Sequence, residues 1–217
     1  MKPFFIASVL ILSAALSACG TTMPTGQSGF LSSYAGLSTG DDPAQQSLQT
    51  QVGIDPSRIQ LGEVLMRPGA GPDLSTEERE RLTAYLRLQL RQRVAEMPQN
   101  PGGRAVVIRA AITRVETVSP ALNTVSTLLL LAPLDRGGAA FEMEAVDATS
   151  GAQLAALKLG HYAPITDLLA RFSKFEPTEI ATRKAAQDFV ALLGPAEAKP
   201  AVKKELRSPI PVADSGK

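Results

Sequence analysis

The sequence has few of the groups that acid–base or nucleophilic catalysis uses: its 217 residues include one cysteine, one histidine and no tryptophan. A single cysteine excludes a disulfide within the chain, and these two residues give no ligand spacing typical of a metal site. The 22 lysines and arginines are balanced by 21 acidic residues. This balance argues against a nucleic-acid-binding surface and against electrostatic attraction to anionic lipid.

The first twenty residues have the pattern of an export signal. Lys2 gives a short positive region, and Phe4–Leu16 is an apolar run of 13 residues. A membrane-spanning helix needs about 20 apolar residues, so this run is too short to span a bilayer. The pattern predicts a secretory signal peptide over residues 1–18.

The end of this segment resembles the lipobox of bacterial lipoproteins, in which a branched aliphatic residue and two small residues precede a cysteine. The matching residues are Leu16, Ser17, Ala18 and Cys19. The resemblance implies cleavage after Ala18, a diacylglyceryl group on the Cys19 sulfur and a third acyl chain, such as palmitate, on the new amine. Two or more chains give stable attachment to a bilayer. The alternatives are a buried structural cysteine or one discarded with the signal peptide.

Gly20 follows the predicted lipidation site. In enterobacterial lipoproteins an aspartate at this position usually signals retention in the inner membrane, so its absence favours the outer membrane. We therefore expect a chain anchored to the outer membrane and facing the periplasm. The bilayer is its expected partner through the acylated Cys19.

Residues 19–56 are predicted to connect the anchor to the main domain. Gly20–Gly29 is small, polar and interrupted by glycine and proline, which is typical of a flexible tether that lifts the domain off the lipid. The apolar residues that follow, Phe30, Leu31, Tyr34 and Leu37, predict a short packed arm. The polar stretch Ser38–Gln51 separates this arm from the rest.

The globular domain is predicted over residues 57–194. Ser57–Met66 predicts a strand with an irregularity near Gly62. Ser75 and Glu78 have the spacing of a capping box, and helical periodicity predicts a helix over Thr76–Met97.

Strands are predicted again after this helix. Arg104–Val118 is rich in β-branched residues, and the turn sequence Asp147–Gly151 predicts a hairpin between strands near residues 141–146 and 154–159. Helices are predicted over Ile165–Phe175 and Thr178–Leu193. This order predicts an α+β fold, a mainly antiparallel sheet of about four strands with two or three helices on one face. Residues 195–217 lack apolar periodicity and are predicted to be disordered.

Several stretches resemble a family of bacterial lipoproteins grouped as domain of unknown function 3313. The matching stretches are Ser28–Leu37, Leu74–Leu90, Arg109–Thr127 and Glu144–Leu157. The chain departs from the family's pattern in the polar insert 38–51 and in its long C-terminal tail. The resemblance implies membrane anchoring and a shared fold, and it implies no activity.

The candidate catalytic and ligand-binding residues are few. His161 lies in the sequence GHYAP beyond a predicted strand end, with Tyr162 beside it and Asp167 six residues on, but no G-x-S-x-G motif supplies a nucleophile. We interpret His161 as a surface or loop histidine and Asp41-Asp42 as a solvated loop. The stretches RPGAGPD and NPGGRA lack the Gly-Lys-Ser/Thr ending of a phosphate loop and are interpreted as turns. No catalytic residue, cofactor or metal is expected.

Four consecutive leucines, Leu128–Leu131, lie in the linker between two predicted strands. One interpretation, which we favour, is a connecting helix that covers the sheet. The other is an exposed apolar patch that binds a partner or enters lipid.

These features predict a non-enzymatic, membrane-anchored envelope lipoprotein that acts as a binding or accessory subunit of an envelope assembly. The alternative is a periplasmic module that binds a small molecule or lipid between sheet and helices.

Overall fold

The computed structural model describes residues 21–40, 42–50, 52–130, 136–164, 166–167 and 169–194. Within these residues there are six strands: β1 (Ser38–Thr39), β2 (Gln45–Gln49), β3 (Ile54–Met66), β4 (Arg104–Glu116), β5 (Gly138–Asp147) and β6 (Gln153–Tyr162). The α-helices are α1 (Thr76–Ala95), α2 (Pro120–Leu130) and α3 (Glu176–Ala191), and a short 3-10 helix spans Leu169–Phe172. The signal peptide, the lipobox residues and the C-terminal tail predicted from the sequence lie outside the described residues.

The strands form one mixed sheet in the order β1-β2-β6-β5-β4-β3. The α+β class is confirmed, but the predicted four-stranded sheet is wrong in strand number. The pairing of β3 with β4 is parallel, whereas the other pairings are antiparallel. The parallel pairing arises because α1 connects β3 to β4 as a crossover helix.

The first helix begins and ends for local reasons. The side chains of Ser75 and Glu78 each bond the other's backbone N–H, so the predicted capping box is confirmed. Leu82, Leu86 and Leu90 are spaced by one helical turn and are buried against the sheet. The predicted irregularity near Gly62 is also confirmed, because the register of β3 and β4 shifts between Leu61 and Val64.

The predicted hairpin is present between β5 and β6. Asp147 ends β5, and its carboxylate accepts the backbone N–H of Ser150 at 2.8 Å and that of Thr149 at 3.0 Å. These bonds, together with an ion pair to Arg104, hold the pKa of Asp147 well below its usual range. Gly151 completes the turn with a φ of 70°, in the left-handed region that glycine adopts easily.

The two long helices cover the same face of the sheet. Alternate residues of the central strands, including Ile108, Phe141 and Leu157, form the main core with α1 and with Phe189 of α3. The predicted helix over Ile165–Phe175 is wrong in length, since the described part contains only the 3-10 helix.

Two predictions for the region before residue 54 differ from the structure. The polar insert 38–51 contains β1 and β2, and β2 pairs with β6. The sequence QQSLQ has no apolar alternation, which is why the strand was missed. The tether interpretation is wrong for Thr21–Met23, which lie against the end of β6.

Candidate functional site

The predicted lipidation site, Leu16–Cys19, lies outside the described residues. The first described residue is Thr21. Its backbone carbonyl accepts a hydrogen bond from the backbone N–H of Tyr162 at 2.8 Å. The N–H of Met23 bonds the carbonyl of Gly160 at 3.0 Å, and the Met23 side chain is 1% exposed. A Cβ at position 160 would collide with the Met23 carbonyl, so glycine is needed there for this close approach.

The arm, defined here as Ser28–Leu37, lies on the face of the sheet opposite the long helices. Phe30 and Leu31 are buried together with Ala111 of β4 and Ala156 of β6. These two alanines leave room above the sheet for the larger side chains of the arm. The arm therefore covers a second, smaller apolar cluster.

Two buried glutamates on β5, Glu142 and Glu144, lie under the arm, and we call them the carboxylate pair. Both are 0% exposed. They point to the arm because they alternate along β5 with Phe141 and Met143, which face the helices. Lys158 lies directly opposite Glu142 on β6, so a cation shares the same face.

Glu142 accepts three hydrogen bonds from the arm. The backbone N–H of Ser28 donates to Oε1 at 2.8 Å, and the Ser28 hydroxyl donates to Oε2 at 2.6 Å. The Tyr34 hydroxyl donates to Oε2 at 2.7 Å. Burial, followed by this hydrogen bond to Glu142, raises the pKa of Tyr34.

Glu144 is held in a similar way and also forms an ion pair. The backbone N–H and hydroxyl of Ser32 donate to Oε2 at 2.9 and 2.6 Å, and Gln153 donates to the same oxygen at 2.8 Å. Arg109 bonds Oε1 at 2.8 Å, and its guanidinium lies 5.1 Å from the centre of the Phe30 ring. The side chain of Glu144 thus connects β4, β6 and the arm.

The carboxylate pair is built to hold the arm. A buried carboxylate is costly unless its oxygens are hydrogen-bonded, and here each of the four oxygens accepts at least one bond from a described group. The sequence alone does not reveal this site, because Glu142 and Glu144 occupy the positions that are polar and solvent-facing in an ordinary alternating strand. The available signal is the three hydroxyl-bearing residues Ser28, Ser32 and Tyr34, which lie close together in the arm.

His161 differs from the sequence interpretation. It lies within β6 rather than in a loop, it is 7% exposed, and Thr22 pairs with it across an isolated bridge. Burial is the main cause that lowers its pKa, and the charges that act on it come from Lys184, Asp42 and Asp188 rather than from Asp167. The Nδ1 atom is buried, and no described residue forms a hydrogen bond with it.

Asp42 lies in a loop and is partly exposed, but it is not simply solvated, because its carboxylate has protein partners. Its carboxylate forms an ion pair with Lys184 of α3 at 3.2 Å and accepts the backbone N–H of Ala44 at 2.9 Å. Burial raises its pKa, but these hydrogen bonds and the charge of Lys184 outweigh it, so the pKa is lowered. Asp41 lies outside the described residues.

The glycine stretches are turns, as predicted. Gly69 and Gly102 have φ values of 78° and 91°, which place both in the left-handed region. Among the described residues, no group of three or more histidine, cysteine or acidic side chains is arranged to hold a metal ion.

An open groove of about 650 Å3 lies between β3 and α1. Apolar side chains, including Met66 and Leu88, line it together with Arg79, Arg87 and Arg91. Leu88 is 48% exposed there. This groove lies beside the outer edge of β3, which pairs with no described strand other than β4 and which we call the free edge of β3.

The leucine-rich linker forms α2, but α2 does not cover the sheet as the favoured interpretation expected. Its main packing partner among the described elements is the 3-10 helix. The large apolar side chains that are exposed on the described parts of these two elements form what we call the apolar patch: Val125, Leu128, Leu129, Leu169 and Phe172. Of the helices in the described ranges, none combines the length and apolar character needed to span a membrane.

The model of the family described as Protein of unknown function (DUF3313) matches residues 26–189. The chain belongs to this family. The matched residues include the arm and the carboxylate pair. No curated protein matches the sequence.

Two solved structures of PelC dodecamers from Paraburkholderia phytofirmans are similar to the chain. A leucine-to-methionine variant in space group C2 is 11% identical, with 70% of this chain and 99% of that chain covered and a TM-score of 0.43. The dodecamer in space group P6 is 8% identical, with 69% of this chain and 98% of that chain covered and a TM-score of 0.44.

Proposed function

We propose that this chain is a non-enzymatic envelope lipoprotein, anchored through Cys19 to the periplasmic side of the outer membrane, and that it is an accessory subunit of an envelope assembly. The observation that carries the proposal is the position of Thr21–Met23. The chain is bonded to β6 two residues after the predicted acylated cysteine. The anchor then holds the folded domain itself, with little free chain between lipid and protein.

The chemistry of the buried polar groups supports binding rather than catalysis. A general base must reach the proton it removes, either directly or through one water. The carboxylate pair is covered by the arm, and His161 is buried beside Thr22. These groups fix the N-terminal region on the sheet.

The free edge of β3 is the surface that we propose for a protein partner. An edge strand presents backbone N–H and C=O groups that a strand of another chain can pair with. The neighbouring groove adds apolar contacts at Leu88 and three arginines. A partner with an extended, acidic segment would match both.

The test is affinity purification of the tagged chain from crosslinked cells, with Cys19→Ala as the comparison. The wild-type protein should sediment with outer membranes and retain the same partner in repeated experiments. The Cys19→Ala variant should leave the outer-membrane fraction. A wild-type chain that stays in the soluble fraction, or that captures nothing above background, would argue against the proposal.

A second candidate function is binding of a small amphiphile in the groove between β3 and α1. Its volume, about 650 Å3, lies in the range of ligand sites, and its arginines favour an anionic head group. Titration with a fluorescent fatty acid tests this function. Leu88→Glu should weaken binding, Leu88→Met should preserve it, and equal binding by all three proteins would exclude the groove.

A further inference from the structure

The apolar patch lies at the end of the sheet where β4 and β6 finish and β5 begins. Paired residues of neighbouring strands form a row across this end. Glu116 of β4 pairs with Gly138 of β5, which pairs with Tyr162 of β6. The N–H of Tyr162 in turn bonds the carbonyl of Thr21. Helix α2 begins four residues after Glu116, and the 3-10 helix begins seven residues after Tyr162.

The predicted acylation site lies at this same end. Thr21 and Met23 bond to β6 in the antiparallel direction, so Thr21, the more N-terminal of the two, lies at the C-terminal end of β6 beside Tyr162. Two residues span at most about 7 Å. By chain length alone, the sulfur-bearing residue two positions before Thr21 is within reach of the row and out of reach of the hairpin turn Asp147–Gly151, which lies at the other end of β5 and β6.

The leucine side chains of the patch are largely exposed to solvent, which is unfavourable for a cluster of large apolar groups. Leu128, Leu129 and Leu169 are 77%, 76% and 85% exposed. Helix α2 contains no charged residue, so its burial in an apolar environment requires no desolvation of a charge. The main packing partner of α2 is the 3-10 helix, which contributes Leu169 and Phe172 to the patch and has one charged residue, Arg171.

We propose that the apolar patch contacts the acyl-chain region of the bilayer that holds Cys19, so that the domain has a fixed orientation with this end toward the lipid. The inference rests on the proposed function, because the anchor brings the patch to the membrane. A bilayer is favoured over a protein partner because the patch lies at the end of the sheet from which the chain leads to Cys19. Apolar insertion also needs no basic surface, in agreement with the balanced charge of the chain.

The absence of tryptophan makes a direct test simple, because one introduced tryptophan is the only such fluorophore. Leu129→Trp places it in the patch and keeps the position apolar. The matched control is Ala148→Trp, at an exposed position in the hairpin turn. Both acylated full-length proteins are purified from membranes and reconstituted into phosphatidylcholine vesicles, with and without bromine on the acyl chains.

The proposal predicts a blue-shifted emission for Leu129→Trp and loss of most of its intensity in brominated vesicles. Ala148→Trp should keep its emission in both. Adding Leu128→Ser and Leu169→Ser to Leu129→Trp should reduce the quenching without changing the melting temperature, because both leucines are exposed.

Flotation of the vesicles separates failure of the anchor from failure of the patch. A protein that floats with the vesicles but shows equal emission in both lipids would overturn the lipid contact alone. A protein that does not float would overturn the anchor and this inference with it. A blue shift that appears without lipid and grows with protein concentration would indicate self-association and would also overturn it.

Discussion

The two faces of the sheet are covered by different kinds of contact. On the helix face, Leu86 of α1 and Phe189 of α3 pack at 0% exposure on the apolar side chains of the central strands. On the arm face, two glutamates are equally buried and are matched by directional hydrogen bonds. Apolar packing depends mainly on area, whereas a buried carboxylate needs each donor in place. The contacts on the arm face therefore depend more on exact geometry than those on the helix face. We expect the arm to detach from the sheet more easily than the helices do.

The largest expected effect is on the helix face. Phe189→Ala should lower the free energy of unfolding by about 3–5 kcal/mol, because it leaves a cavity between α3 and the sheet. Urea denaturation followed by circular dichroism measures this change. Leu88→Ala, on the exposed side of α1, is the control and should have little effect. Equal losses in the two variants would contradict the assigned core.

Substitutions on the arm face should lower the free energy of unfolding by a smaller amount. Glu142→Ala removes the acceptor of three arm hydrogen bonds and should cost about 3 kcal/mol. Backbone hydrogen exchange should become faster in residues 28–34 of this variant and should change less in α1 and α3. Tyr34→Phe removes one of the three bonds and should cost about 1 kcal/mol.

The distribution of exchange rates decides whether the faces behave differently. If Glu142→Ala accelerated exchange equally in the arm and in both long helices, the arm would be part of the same cooperative unit as the helix core. The proposed difference between the faces would then be wrong.

A pH-dependent effect is expected at His161, at the edge where the N-terminal segment meets β6. Burial lowers its pKa from 6.5, so the unfolded chain binds a proton at a higher pH than the folded chain does. Stability contributed by neutral His161 is therefore lost as the pH falls below about 6.5. Urea midpoints at pH 7.5 and 5.5 should differ less for His161→Gln than for the wild type. Equal differences would show that His161 does not contribute.

Substitutions in the apolar patch, which lies outside both covered faces, should have the smallest effect on the free energy of unfolding. Replacing Leu128 and Leu129 by serine should change the free energy of unfolding by no more than about 0.5 kcal/mol, because both are exposed. Thermal unfolding of the protein in detergent measures this. A loss of several kcal/mol would show that α2 covers a core after all.

The helix face could be predicted from the sequence because its signals are local. The capping box at Ser75 and the spacing of Leu82, Leu86 and Leu90 predict α1, and alternation in Arg104–Glu116 predicts β4. In each case one element carries its own periodicity. Burial of its apolar residues then follows from the fold class.

The arm face could not be predicted in the same way, because its partners are distant in sequence. Ser28 and Glu142 are 114 residues apart, and nothing in the alternation of β5 distinguishes a glutamate in solvent from one under an arm. Strand β2 was missed because its polar sequence is ordered by pairing with β6 rather than by burial. The signal sequence and the Cys19 lipobox were interpreted from the sequence alone, and they stay predictions.

Intact mass spectrometry of the protein purified from its own membranes is the most direct test of the anchor at Cys19. The account predicts a chain that begins at Cys19 and carries a diacylglyceryl group on sulfur and an acyl chain on the amine. An unmodified Cys19, or a chain that still begins at Met1, would contradict it.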